Sequence, residues 1–118
     1  MTWTYQQSTG NLYKDGELME SGYSGVFTNK NNPEREHVKG MGPIPRGSYR
    51  INGYTDHKGP FTINLEPQGS TYGRDSFRIH GERVNKPAGF ASAGCIIMSN
   101  HIRRMVARSG DNQLEVVR

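Results

Sequence analysis

The sequence predicts a mainly β protein: a single compact β-sandwich or barrel-like domain spanning residues 1–118, with one short C-terminal α-helix. Three observations lead there. Fifteen glycines and six prolines in 118 residues impose frequent turns and therefore short strands. Apolar residues recur with a period of two in several short segments. Only one stretch, after Ser99, carries the i, i+3, i+4 apolar spacing of an amphipathic helix.

Each element follows from its residues. Trp3 and Tyr5 alternate with Thr2, Thr4 and Gln6, as in a half-buried strand. Leu12-Tyr13 and Leu18-Met19 flank Asp15-Gly16, a hairpin signal because glycine accepts the positive φ of tight hairpin turns. The N-terminus therefore reads as a β-meander. Residues 22–42 are polar, are broken by Gly25, Asn31-Asn32-Pro33 and Gly40, and read as a long surface loop. Loops of that length commonly form a lid or the wall of a site. Pro43 and Pro45 fix φ and remove two N–H donors, which bars this stretch from a central strand; the strand Ser48–Ile51 follows. Phe61, Ile63 and Leu65 alternate with Thr62 and Asn64 as another strand, and Pro67-Gln68-Gly69-Ser70 turns the chain. Phe77 and Ile79 share a face, sending Arg78 and His80 to the other. Residues 81–94 form a second loop. Ser99 or Asn100 caps a helix with Ile102, Met105 and Val106 on its apolar face, Ser109-Gly110 ends it, and Leu114–Val117 is the last strand.

Fifteen Lys and Arg against eleven Asp and Glu give a net charge of +4 and a pI near 9.4. Such a surface suits an anionic partner such as nucleic acid, anionic lipid or a carboxylate-rich cell wall. The basic residues are scattered and show no recognition-helix pattern, so nucleic acid is not expected as a partner. A mean hydropathy of −0.81 and the lack of any run of ~20 apolar residues exclude a spanning helix, so no membrane insertion is expected. The first residues lack the basic start and apolar stretch of a secretory signal, which implies synthesis in the cytoplasm without a signal peptide. One cysteine excludes an intrachain disulfide. It also argues against a metal site, as do four dispersed histidines without paired-ligand spacing, and no cofactor is implied.

That cysteine, Cys95, lies in Ser92-Ala93-Gly94-Cys95-Ile96-Ile97. A free cysteine is commonly a small buried hydrophobe. Here small residues precede it, so the backbone can turn sharply and approach a ligand, with the N–H groups of Gly94 and Cys95 available to a developing oxyanion. A thiol needs a base, and imidazole serves best. His80, fifteen residues upstream, ends a strand on the face away from the apolar side chains and is followed by Gly81. His37 and His57 sit in polar loops and read as solvated; His101, in the first helical turn, is the spare candidate.

Ile79-His80-Gly81, a loop, and then Ser92-Ala93-Gly94-Cys95-Ile96 resembles the signature of the L,D-transpeptidase catalytic domain. The opening Thr2-Trp3-Thr4-Tyr5, the stretch Gly42 to Gly47, Gly73-Arg74 ahead of Phe77, and Gly94 to Met98 are similar to the type VI secretion effector subgroup and its phage-associated relatives. The resemblance implies a peptidoglycan-modifying cysteine enzyme acting on tetrapeptide stems. His80 and Cys95 would be catalytic, Gly81, Ser92 and Gly94 would serve the oxyanion or orient the pair, and a thioester would pass to water, a D-amino acid or a second stem. A backbone carbonyl or Ser92 would have to orient His80. Ala93 stands where many members carry a second histidine. Ile97 stands where many carry arginine, so Arg74 or Arg78 would supply the substrate-carboxylate contact. The resemblance also implies action in the periplasm of a target bacterium, a cognate immunity protein and a secretion-apparatus component as partners, and a monomer. A sortase-like cysteine transpeptidase and a catalytically silent cell-wall-binding module are the alternatives.

Overall fold

The computed structural model describes residues 2–55, 61–83 and 87–118. Its elements run β1 (Trp3–Gln6), β2 (Asn11–Lys14), β3 (Glu17–Ser21), β4 (Tyr23–Ser24), β5 (Gly47–Thr55), β6 (Thr62–Pro67), β7 (Arg78–His80), β8 (Ile96–Ile97), α1 (Asn100–Arg108) and β9 (Gln113–Val117). All the strands join one sheet in the order β3-β2-β1-β9-β5-β6-β7-β8-β4. β1 pairs parallel with β9, and β7 pairs parallel with β8; the other pairs are antiparallel. The two strands at the ends of that order, β3 and β4, are successive in the chain with only Gly22 between them, so the sheet curls into a nearly closed barrel. A side chain at Gly22 would place its Cβ 1.8 Å from the Ile97 carbonyl oxygen, so this closure requires glycine.

The mainly β class and the single helix are as the sequence predicts. The Asp15-Gly16 turn joins β2 and β3 with φ of 50° and 86°, both in the left-handed region that suits tight hairpins. Trp3, Tyr5, Leu12, Tyr49, Ile63, Ile79, Ile96 and Leu114 interdigitate inside the barrel with Ile102 and Val106 of α1. Ser99 caps α1, its Oγ accepting from the Ile102 N–H at 3.3 Å.

Residues 22–42 depart from the expected surface loop. They contain β4 and two 3-10 turns, Phe27–Asn29 and Pro33–Arg35, and they bury Tyr23, Asn29 and Glu36. Glu36 holds the segment in place. Its carboxylate accepts from the Gln7 amide at 2.9 Å, the Arg46 N–H at 3.0 Å, the Arg46 guanidinium at 3.0 and 3.1 Å, and the Tyr72 hydroxyl at 2.8 Å. A second departure is length: β5 runs past Ile51 to Thr55, accommodating a register shift between Ile51 and Tyr54 where Gly53 takes φ 84°. Phe61, expected within the next strand, instead precedes β6: its φ of 51° takes it out of the extended conformation, and its half-buried ring packs against Tyr54, Arg104 and Arg108.

Candidate active site

The parallel pairing of β7 and β8 assembles the site. Ile79 pairs with Ile96 and His80 with Ile97, and Arg78 and Cys95, the residues just before these pairs, line one cleft. Side chains alternate along a strand; Ile79 and Ile96 enter the core, which leaves Arg78, His80, Cys95 and Ile97 on the opposite face. Ile97 is covered there by Tyr23 and Ala91, while Cys95 remains half-buried.

His80 Nδ1 lies 2.9 Å from the Gly81 carbonyl oxygen. A carbonyl only accepts, so Nδ1 carries the proton and Nε2 presents its lone pair. Gly81, not Ser92, orients the imidazole. Burial holds the His80 pKa below the ordinary imidazole value; the Gly81 carbonyl opposes this, and the charges of Arg103, Arg78 and Arg83 add to it. Burial pushes the Cys95 thiol up, against the Arg78 backbone N–H, the charges of Arg78 and Arg74, and the Arg78 guanidinium. The Cys95 thiol donates its S–H to the Ser76 carbonyl at 3.6 Å.

Ser92 braces the nucleophile's loop. Its Oγ accepts from the N–H groups of Gly25 at 2.9 Å and Gly94 at 3.1 Å and donates to the Cys95 carbonyl at 2.6 Å. Gly94 adopts φ 129°, and a Cβ there would lie 2.3 Å from Arg74 Nη2, so the turn before the thiol accepts no side chain. Its N–H, expected to serve the oxyanion, is held by Ser92 instead. The Cys95 N–H has no partner among the described residues.

Arg74 borders the cleft but does not offer the substrate contact expected of it. Its buried guanidinium donates from Nη1 to the carbonyls of Glu36 and Pro43, and from Nη2 to that of Gly42 at 2.9 Å. It ties the 36–43 segment beneath Gly94. Arg78 lines the same cleft, about 290 Å³ in volume, with Lys39, Asp75, Ser76 and Cys95. A larger cleft of about 470 Å³ lies past Gly81, among Glu20, Glu82 and Arg103; the thiol opens into the smaller one.

Sequence reasoning missed Glu36, Lys39, Ser76 and Arg103. Arg103 is buried, its Nε donating to the Met98 carbonyl at 3.2 Å, and it fills the space a Gly81 side chain would need. The signal was available: Arg103 lies within the helical arc of Ile102 and Val106. His37 is exposed against Tyr72, His101 is exposed, and His57 lies outside the described residues. Among the described residues, no cluster of His, Cys, Asp and Glu is placed to hold a metal ion, and no helix is long and apolar enough to cross a membrane.

A barrel-like β fold that sets a thiol and two guanidiniums around one small cleft, with an imidazole of fixed tautomer at the end of the adjoining strand β7, is a candidate cysteine–histidine site. The chain belongs to the Tlde1 domain family, whose model matches residues 19–118. The matched span begins within β3, so β1 and β2 precede it. Membership fits a type VI secretion effector. No curated protein matches the chain.

Proposed function

We propose that this protein is a peptidoglycan-modifying cysteine enzyme that acts on tetrapeptide stems as an L,D-carboxypeptidase and, with a free D-amino acid as acceptor, as an L,D-exchange transpeptidase. Its setting is that of an antibacterial effector working in the periplasm of a target cell, with a cognate immunity protein in the producer. The observation that carries the reading is the Nδ1–H of His80 on the Gly81 carbonyl, which leaves a basic Nε2 on the sheet face that also bears Cys95.

The chemistry follows from the groups present. His80 Nε2 takes the thiol proton as the sulfur attacks the carbonyl of the third stem residue. The C–S bond forms and the carbonyl π pair moves to oxygen, where the Cys95 N–H donates to it. Collapse of the intermediate restores the carbonyl and breaks the C–N bond. His80 returns its proton to the departing amine of the terminal D-alanine. Water or the amine of a D-amino acid then attacks the thioester, again losing its proton to His80; the C–S bond breaks, and His80 returns that proton to the Cys95 sulfur. The lone cysteine suits an oxidising compartment, since no second thiol in the chain can trap the nucleophile.

Mass spectrometry of muropeptides incubated with the protein tests this reading. Loss of one D-alanine with the native protein and not with Cys95→Ala supports it, and incorporation of an added D-amino acid identifies exchange. Binding of stems with no mass change from the native protein would refute it and favour a silent wall-binding module.

A further inference from the structure

The oxyanion site cannot draw on the Gly94 amide. The Gly94 N–H is committed to Ser92 Oγ, and that oxygen has no capacity to rearrange, since it accepts two N–H bonds and donates its own proton to the Cys95 carbonyl. Gly94 itself is pinned between its left-handed φ and the Arg74 guanidinium behind it. Of the two N–H groups at the thiol's turn, Gly94 and Cys95, only that of Cys95 is left for the oxygen that becomes negative. Arg78, in the same cleft, can supply another donor. It lies on β7, the strand paired with β8 directly after Cys95, it lines the cleft into which the thiol opens, and its charge favours the Cys95 thiolate against burial. Among the described residues no carboxylate pairs with it, whereas Arg74 is consumed by three carbonyls.

We propose that Arg78 is a catalytic residue: its guanidinium steadies the Cys95 sulfur and, together with the Cys95 N–H, binds the oxyanion of the tetrahedral intermediate in place of the Gly94 amide. This rests on the thioester reading above. The step balances without proton transfer from arginine, which stays charged throughout. The sulfur lone pair forms the C–S bond, the π pair becomes the oxyanion lone pair, and two N–H donors receive it. When the C–N bond breaks, the pair returns to the carbonyl and the amine leaves with the proton held on His80 Nε2. A planar, forked donor suits this task because one N–H can address sulfur while another reaches oxygen.

Two measurements on Arg78→Gln and Arg78→Lys test the proposal, after a melt shows that each variant is folded. First, turnover is followed on a tetrapeptide stem and on the same stem with its terminal carboxylate amidated. An oxyanion role lowers kcat by ~10²–10³ for Arg78→Gln on both substrates, with KM within about threefold and partial recovery in Arg78→Lys. A rise in KM confined to the free carboxylate, with kcat retained, overturns the proposal and makes Arg78 a carboxylate clamp. Second, the pH profile of Cys95 alkylation by iodoacetamide, an uncharged reagent, is recorded. Loss of the Arg78 charge moves the thiol titration up by about one unit. If the native protein turns over no stem at all, the functional reading fails; the alkylation profile still decides whether Arg78 holds the sulfur, and an unmoved profile overturns that contact.

Discussion

Glu36 is the group whose removal tests the architecture most directly. Glu36→Gln keeps the shape of the side chain and removes its charge. The native carboxyl is pushed up by burial, but bonds from Arg46, Gln7 and Tyr72 outweigh this and bring it to about 2 from an ordinary 4.5. Each unit of that gap is worth ~1.36 kcal/mol, so the ionised carboxylate contributes on the order of 3 kcal/mol to folding. Because the folded pKa is depressed, the contribution is fully present above pH 4.5 and is lost as pH falls through about 2. Chemical unfolding followed by circular dichroism from pH 7 to pH 2 reads it out. The variant should be less stable than the native protein at pH 7 by about 2–3 kcal/mol, and the two curves should converge toward pH 2. Other carboxylates titrate equally in both proteins, so the difference curve isolates Glu36. A constant offset across the whole range, or equal stability at neutral pH, would refute the assignment.

Three further outcomes are expected. Ser92→Ala removes three hydrogen bonds around the nucleophile's loop and should destabilise the fold by ~1–3 kcal/mol, with turnover of muropeptides reduced more than the melting temperature alone explains. Gly94→Ala drives a methyl group toward Arg74 at a left-handed φ; Cys95 alkylation and stem turnover should both collapse, while far-UV circular dichroism at low temperature stays mainly β. His80 must be neutral to act as a base, and burial holds its pKa below the ordinary 6.5. The acid limb of kcat/KM should therefore lie below that value and move upward in Arg103→Gln, which removes a neighbouring positive charge.

The parts of the protein legible in the sequence are those where one local signal decides the outcome. The alternation around Trp3 and Tyr5, the Asp15-Gly16 turn and the Ser99 cap needed no tertiary partner. The placement of His80 and Cys95 on one face was legible in part, because strand alternation turns His80 away from Phe77 and Ile79. Residues 22–42 resisted for a physical reason. β4 has only two residues, too few for a period, and Glu36 is buried by partners from Gln7, Arg46 and Tyr72 that no local pattern announces. Arg74 reads as an exposed polar residue after Gly73, and it is buried only because three carbonyls from a segment some thirty residues earlier converge on it. The orientation of His80 by the carbonyl of Gly81, and the capture of the Gly94 N–H by Ser92, are matters of a few ångströms and escape any pattern of residue types.

Those short distances explain what Ile97 does at a position where the resembling family often carries arginine. The register places Ile97 beside His80, and Arg78 lines one cleft with Cys95, so the imidazole has an aliphatic neighbour and the sulfur a cationic one. An aliphatic neighbour disfavours imidazolium, and a guanidinium favours thiolate and oxyanion. Exchanging those neighbours would disfavour both groups: a cation beside the base would depress its proton affinity further, and the sulfur would lose the charge that offsets its burial. Moving the cation one strand over, from position 97 to position 78, spares the base one more adjacent positive charge and puts that charge in the cleft where negative charge develops.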